Sequence, residues 1–165
     1  DITRFNLSKI EIDLEKTNLS RMIEQVCNEF IPVLMQKGLT WNLAITPDIF
    51  IMCDTDKILR VFDNLIRNAI NYSYNDTEIK CSLTLEDNVV YFKIKNKGKT
   101  IAPEKLKRIF EQFFRLDSSR GTATGGAGLG LAIAKEIVEL HGGTITAESR
   151  DESIAFQVAL PLSEP

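Results

Sequence analysis

A row of asparagines is the first feature of the sequence that could support chemistry. In "DNLIRNAINYSYN", Asn64, Asn68, Asn71 and Asn75 recur at helical spacing and would lie within roughly 60° of one another on a helix. Asparagine is a poor residue for a helix interior, and solvated helix faces normally carry Glu, Lys and Arg. An amide oxygen is also a good ligand for a hard cation such as Mg²⁺ bound to phosphates. The row therefore indicates either a solvated face or a magnesium–phosphate site.

The second feature is a glycine-rich stretch, "GGAGLGLAIAKEIVELHGG". Gly126, Gly128 and Gly130 come immediately before or inside the first turn of an apolar helix. Free N–H groups at a helix start, together with the helix dipole, favour an anion. The spacing is GxGxG with no strand directly before it, and no lysine follows as in a P-loop, so both common phosphate loops are excluded. A flexible linker next to a helix remains the alternative.

Three smaller signals lie between these two. Gly98 in "KNKGKT" directly follows a predicted strand, where a plain turn and a loop pressing on a ligand are equally good interpretations. The stretch "IFEQFFR", residues 109–115, spaces three phenylalanines at i, i+3 and i+4, which favours a local packing cluster. Arg115 and Arg120 follow, and a guanidinium group suits phosphate.

The elements that must position these residues belong to one globular domain of 165 residues, 44% hydrophobic and 26% charged. The net charge of −3 argues against a nucleic-acid surface. Three separated cysteines and one histidine argue against a disulfide framework or a zinc site, and favour a reducing, cytoplasmic setting. No apolar run approaches the roughly 20 residues that span a bilayer. Because the first residue is Asp, we expect a fragment of a longer chain, with any membrane anchor upstream.

Periodicity predicts helices and hairpins together, with no strict alternation of strand and helix. The predicted elements, in order, are a helix from the N-cap Asn18 to Gly38, strands at 39–45 and 49–54, a helix at 55–73, a hairpin at 77–96, a short helix near 103–112, a third long helix ending at Gly142 and Gly143, and a second hairpin at 144–162. This order favours an α+β fold, a two-layer sandwich with helices on one face of a largely antiparallel sheet. The long connection before the third helix is typical of a lid or binding segment.

Taken in order, "NLIRNAINYS", "NKGKTI", "FEQFFR" and "GGAGLGLAIAK" resemble the N box, first glycine box, F box and second glycine box of sensor histidine kinases. These kinases belong to the GHKL ATP-binding superfamily with gyrase, Hsp90 and MutL. The resemblance covers about residues 15–162 and is strongest to the VanS-type kinases of vancomycin resistance. It implies the Bergerat fold, a mixed sheet on three helices. It also implies that residues 1–14 end a dimerisation and phosphoacceptor helix with its linker, and that 15–165 form the ATP-binding domain with a lid at about 103–127.

The resemblance implies the cofactors ATP and Mg²⁺ and a role for each motif. Asn68 would coordinate the metal, and Asn64, one turn earlier, would reach the same phosphates. The gyrase-like ATPases carry a glutamate at the place of Asn64, and an amide cannot act as a general base. Transfer to a protein nucleophile is therefore expected in place of hydrolysis. The other implied catalytic residues are Arg115 and Arg120, and the other implied nucleotide contacts are Asn71, Tyr72, Asn96, Gly98, Thr100, Ile101, Gly126, Gly128, Leu129, Gly130 and Leu131.

Four positions depart from the family pattern. Asn96 replaces the aspartate that accepts the adenine amino group, which would cost roughly 1 kcal/mol of binding free energy. Ile154 replaces a threonine near the adenine, Thr100 replaces the second glycine of its box, and Asn71 replaces a lysine near the phosphates. We therefore expect weaker or less adenine-selective binding.

The resemblance also implies partners that supply the missing nucleophile. The family's phosphoacceptor histidine lies in a dimerisation domain of the same kinase, which is a homodimer, and a response regulator receives the phosphoryl group. We expect no nucleic-acid partner and no direct membrane contact in this cytoplasmic part of a membrane-anchored bacterial sensor. The single histidine, His141, is interpreted as a helix C-terminal residue. Two alternatives remain: a gyrase-like or chaperone-like ATPase, and a docking module that binds no nucleotide.

Overall fold

The computed structural model describes residues 11–112, 114 and 130–162. The helices are α1 (Leu19–Glu29), α2 (Ile31–Met35), α3 (Thr55–Asn71), α4 (Pro103–Leu106) and α5 (Gly130–Leu140). The strands are β1 (Glu15–Asn18), β2 (Thr40–Ile45), β3 (Phe50–Cys53), β4 (Glu78–Glu86), β5 (Val89–Lys97), β6 (Thr144–Arg150) and β7 (Ser153–Pro161).

Five strands form the main sheet in the order β2-β4-β5-β7-β6. The β2–β4 pair is parallel and the other three pairs are antiparallel. The helices cover one face, where the rings of Phe62 on α3 and Phe92 on β5 lie 4.7 Å apart between centroids. The predicted α+β sandwich of a largely antiparallel sheet and helices is therefore confirmed. Cys27, Cys53 and Cys81 are free and buried.

Helix α3 forms because its apolar residues repeat at helical period and its first turn is capped. Asp54 is the N-cap, and its Oδ1 accepts from the N–H of Lys57 at 3.3 Å. The apolar face is completely covered, and its buried residues are Ile58, Val61, Phe62, Leu65, Ile66, Ala69 and Ile70. Burial of one face fixes the rotation of the helix, so the asparagines must point away from the core.

The first helical segment differs from the prediction at its end. Asn18 is the N-cap as predicted, and its side chain accepts from the N–H of Arg21. The single helix predicted to reach Gly38 is wrong, because α1 ends at Glu29 and a separate helix, α2, begins at Ile31 with Pro32 in its first turn. Proline has no N–H to continue the hydrogen-bond ladder, and it is tolerated in the first turn of a helix.

Two tight turns close the antiparallel hairpins. Asp87 and Asn88 join β4 to β5, and Asp151 and Glu152 join β6 to β7, all four with positive φ. Two consecutive residues of positive φ give the turn whose twist matches that of paired strands. Both predicted hairpins are present. The turn at Glu152 faces the end of β5, and it therefore reaches the site described next.

Candidate functional site

The asparagine row of α3 meets the first residue of α5. The side-chain Nδ2 of Asn64 donates to the carbonyl oxygen of Gly130 at 3.0 Å, across 66 residues of sequence. A Cβ placed on Gly130 would lie 3.8 Å from the amide group of Asn64, which is ordinary contact. The asparagine row therefore lies beside Gly130, which is the one of Gly126, Gly128 and Gly130 that the structure describes.

The rest of the row continues along α3 but stops earlier than predicted. Asn68, one turn beyond Asn64, is half-buried, and Asn71 is exposed as the last residue of the helix. Tyr72 is the C-cap and is half-buried. Asn75 lies in the following turn, so the predicted fourth member of the row is not on the helix.

A lysine that the sequence analysis missed caps the end of this helix. The Nζ of Lys37 donates to the carbonyl oxygens of Ile70 at 2.7 Å, Ser73 at 3.0 Å and Asn71 at 3.4 Å. A cation at a helix C-terminus is favourable because the last carbonyls carry partial negative charge. Burial lowers the pKa of Lys37 below its usual value. The capping fixes the position of Tyr72, which directly follows the helix.

Asn96 occupies an inward-facing position on β5. The buried residues of this strand alternate with exposed lysines, and the inward row is Val90, Phe92, Ile94 and Asn96. Only 3% of Asn96 is exposed, and its Cα partner across the strands is Ile154, at 2%. Within the part of the chain that the structure describes, the Nδ2 of Asn96 is the buried side-chain polar atom without a hydrogen-bond partner. The two positions that depart from the family's adenine pattern are therefore neighbours.

Gly98 packs against backbone where no side chain fits. A Cβ at this position would overlap the carbonyl oxygen of Tyr72 and would lie 3.2 Å from Nδ2 of Asn96. The Gly98 N–H donates to the carbonyl oxygen of Glu152 at 3.1 Å. The N–H of Tyr74 donates to the carbonyl oxygen of Lys97 at 2.8 Å. The glycine therefore joins the end of β5 to the segment that follows α3.

The β6–β7 turn holds the residues after Gly98. The Oγ1 of Thr100 accepts from the N–H of Glu152 at 2.7 Å, and the hydroxyl of Tyr74 donates to the Glu152 carboxylate at 2.8 Å. That hydrogen bond raises the pKa of Tyr74. The N–H of Ile101, which is buried, donates to Oγ of Ser149 at 3.0 Å. Thr100, which stands where glycine was expected, thus has a structural partner that glycine could not provide.

His141 links the far end of α5 to the start of α3. It is 3% exposed, and its Nδ1 lies 2.8 Å from the carbonyl oxygen of Ile137 while Nε2 accepts from the N–H of Asp54 at 3.0 Å. Both ring nitrogens are therefore engaged by backbone groups. Burial acts to raise the pKa of Asp54, but the N–H donors of Asp13 and Lys57 reverse this and the pKa lies below its usual value.

The predicted local cluster of Phe110, Phe113 and Phe114 stays a prediction, because Phe113 lies outside the described residues and Phe110 packs on β7. The rings of Phe110 and Phe156 meet edge to face, 6.0 Å apart between centroids, and the guanidinium of Arg108 lies 4.8 Å from the ring centre of Phe114. Leu131 is half-buried and packs against the core. The predicted site residues that lie outside the described residues are Arg115, Arg120, Gly126, Gly128 and Leu129.

The donors in this region suit a nucleotide with a magnesium ion. Among residues 11–112, 114 and 130–162, no group of three or more His, Cys, Asp or Glu side chains could hold a metal. Asn68 carries an amide oxygen, a group that could serve as a ligand to a hard cation. Asn96 offers an unpaired buried hydrogen-bond donor at the other end. Over the same residues, no helix is long and apolar enough to cross a membrane.

Comparison with known proteins agrees with this geometry. Residues 53–164 match the family described as histidine kinase-, DNA gyrase B- and HSP90-like ATPase. The chain is 53% identical over 161 residues to the sensor protein VanSC of Enterococcus gallinarum, and 44% identical over 161 residues to the sensor protein VanS of Enterococcus faecium. Each alignment covers 98% of this chain but only 44% and 42% of those proteins, so the chain spans less than half of their length.

A solved structure shows the same architecture. The catalytic domain of the histidine kinase ThkA matches with a TM-score of 0.82 and 26% sequence identity, over 92% of this chain and 97% of that one. The chain therefore belongs to the histidine kinase-, DNA gyrase B- and HSP90-like ATPase family, and within it is a VanS-like catalytic domain of a histidine kinase.

Proposed function

We propose that this domain binds Mg²⁺–ATP between α3, the start of α5 and the end of β5, and transfers the γ-phosphoryl group to a histidine on a separate domain of the same kinase. From that histidine the group passes to an aspartate of a response regulator. The observation that carries the proposal is the hydrogen bond from Asn64 to the carbonyl of Gly130, because it joins the asparagine helix to the start of α5, the two elements that we propose hold the phosphates.

The phosphate end of the site is assigned to α3 and the lid. Asn68 offers its amide oxygen to the metal, and Asn64 holds the start of α5 beside it. Bound Mg²⁺ would neutralise charge on the phosphate oxygens. Arg115 and Arg120 are proposed to offset the charge on the γ-phosphate. The remaining proposed nucleotide contacts are Asn71, Tyr72, Asn96, Gly98, Thr100, Ile101, Gly126, Gly128, Leu129, Gly130 and Leu131.

Transfer is favoured over hydrolysis because the site offers no carboxylate at the position of Asn64. An amide does not take a proton from water, so an attacking water is not activated there. Phosphoryl transfer requires mainly positioning and charge stabilisation, and an incoming imidazole needs little further help. His141 cannot be this imidazole, since it is buried and both nitrogens are bonded. The nucleophile must therefore come from another domain.

The wider setting follows from the relatives. The identity to VanSC and VanS over 98% of the chain supports a part in glycopeptide-resistance signalling. We propose that residues 1–14 are the end of a dimerisation and phosphoacceptor helix with its linker, and that 15–165 form the ATP-binding domain with its lid at about 103–127. The full protein would be a dimeric, membrane-anchored sensor with this domain on the cytoplasmic side.

Calorimetric titration with Mg²⁺–ATP tests the proposal. Wild type should bind, and Asn68→Ala should weaken binding about tenfold or more, because a metal ligand is lost. Removal of Mg²⁺ with EDTA should weaken wild type similarly and change Asn68→Ala little. Asn88→Ala, in the β4–β5 turn, is the matched control and should bind as wild type does.

Two outcomes would contradict the proposal. Absence of heat with millimolar Mg²⁺–ATP would favour a docking module that binds no nucleotide. Steady release of phosphate by the isolated domain would favour a gyrase-like ATPase. Such hydrolysis is not expected under the proposal, because the amide of Asn64 cannot act as a base that activates water.

A further inference from the structure

We propose that the base end of this site takes 6-oxopurine nucleoside triphosphates as well as ATP, and that Asn96 is the residue responsible. The inference rests on the proposed nucleotide site and concerns only which base that site selects. Its chemical class is defined by a carbonyl oxygen at position 6 of the purine, for which inosine triphosphate is the simplest probe.

The starting observation is a buried donor that lacks an acceptor. Asn96 is 3% exposed, and its Nδ2 has no hydrogen-bond partner among the residues that the structure describes. A buried polar group without a partner costs free energy, and native proteins rarely leave one unless water or a ligand completes it. A polar residue in the inward row Val90, Phe92 and Ile94 is itself a cost in stability. Both costs are offset if a ligand supplies the acceptor.

The neighbours of Asn96 give it no acceptor. Ile154, its Cα partner across the strands, is apolar and 2% exposed. Gly98 uses its own N–H on the carbonyl oxygen of Glu152, and a Cβ at Gly98 would lie 3.2 Å from Nδ2 of Asn96 and overlap the carbonyl oxygen of Tyr72. The carbonyl oxygen of Lys97 accepts from Tyr74. The amide of Asn96 therefore faces Gly98 beside the carbonyl oxygen of Tyr72, and its Nδ2 makes no hydrogen bond within the described part of the chain.

The chemistry of an amide differs here from that of a carboxylate. An ionised carboxylate can only accept hydrogen bonds, so it selects the amino group at position 6 of adenine and repels a carbonyl oxygen at that place. A carboxamide offers both a donor and an acceptor, and a half-turn of its end group exchanges them. Asn96 can therefore pair with the amino group of adenine or with the oxygen of a 6-oxopurine.

Base selectivity should follow from which groups the purine presents to Asn96. Inosine triphosphate and ATP differ only at positions 6 and 1 of the base, so their ribose and phosphate contacts cancel in the comparison. In wild type, the dissociation constant of Mg²⁺–ITP divided by that of Mg²⁺–ATP should be below about five. A site with one unpaired charged acceptor loses about tenfold or more for the wrong base.

Calorimetric titration of wild type with Mg²⁺–ATP and Mg²⁺–ITP tests the inference directly, without any variant. Asn96→Asp should then raise the ITP-to-ATP ratio about tenfold by restoring a group that only accepts. Asn88→Asp, the same chemical change at the opposite end of β5, should leave the ratio at its wild-type value. Circular dichroism and thermal unfolding confirm that each variant is folded.

The outcomes separate this inference from the proposed function. A wild-type ratio above five would overturn the inference while ATP binding itself stands. An unchanged ratio in folded Asn96→Asp would also overturn it, because another group must then read the base. If neither nucleotide binds wild type, the proposed function fails, and the inference fails with it.

Discussion

The ammonium group of Lys37 donates to the carbonyl oxygen of Ile70 over 2.7 Å, and so a residue of the turn after α2 caps the helix that carries the asparagine row. The same group also reaches Ser73 at 3.0 Å. These bonds end α3 where the chain must turn toward Gly98. The position of Tyr72, whose carbonyl packs on that glycine, depends on where the helix ends.

Replacement of Lys37 by methionine should therefore destabilise the domain. Methionine retains the apolar stem but leaves the last carbonyls of α3 without their cation, at a cost of about 1–2 kcal/mol in the free energy of unfolding. Urea unfolding measures this difference. Lys93→Met, an exposed lysine of β5, is the control and should change the free energy of unfolding by less than about 0.5 kcal/mol. Equal losses in the two variants would contradict the capping role.

Two glycines of the site should respond differently to the same methyl group. At Gly98 a Cβ would overlap the carbonyl oxygen of Tyr72, so Gly98→Ala should lower the free energy of unfolding by about 2–3 kcal/mol. At Gly130 the nearest atoms are 3.8 Å away, and alanine is the better helix former, so Gly130→Ala should leave stability unchanged or raise it by up to about 1 kcal/mol. Chemical denaturation of both variants provides the comparison, and Gly98→Ala as stable as wild type would refute the packing argument.

The parts of the fold that depend on local pattern were predictable. The apolar period of α3, the Asn18 cap and both hairpins are properties of a few neighbouring residues, and they are present. Strand β1 was missed because its four residues become a strand only by pairing with β3, from Glu15 against Cys53. The break at Phe30 was missed because one apolar stripe continues on both sides of it.

Some features of the site were likewise predictable from local sequence, and others were not. The asparagine row and the glycines stand out in sequence because asparagine and glycine are poor helix residues. The prediction that the asparagines and the glycines lie close together in space rested on the family resemblance, because residue spacing alone does not indicate it. The bonds from Glu152 to Thr100 and from Asp54 to His141 join residues 52 and 87 positions apart, and no local pattern signals such pairs.

The decrease of the free energy of unfolding at acidic pH should depend on Asp54. Its folded pKa is depressed below the ordinary aspartate value of about 3.9, because the N–H donors of Asp13 and Lys57 outweigh the effect of burial. A depressed folded pKa means that the unfolded state binds more protons. The carboxylate therefore contributes stability that is complete above about pH 4 and is lost as the pH falls through the folded pKa.

Asp54→Asn keeps a capping oxygen but removes the charge. The variant should be less stable than wild type at pH 7 by about 0.5–1 kcal/mol, the usual value of a charge at a helix N-terminus. The difference should shrink as the pH falls below about 4. Urea unfolding at pH 7 and at pH 3 measures it, with Asp87→Asn in the exposed β4–β5 turn as the control. A difference that stays constant with pH would assign the loss to geometry and not to charge.

The single histidine of the chain should take no phosphate. His141 is 3% exposed, and a phosphoryl group on either nitrogen would break the bond to Ile137 or the one to Asp54. Incubation of this domain with γ-labelled ATP and Mg²⁺ should therefore give no acid-labile label above the background of His141→Phe. Label that is present in wild type and absent from a folded His141→Phe would show that the nucleophile lies within the chain. Phosphorylation at Nε2 would in addition break the hydrogen bond from Asp54 that joins the start of α3 to the end of α5.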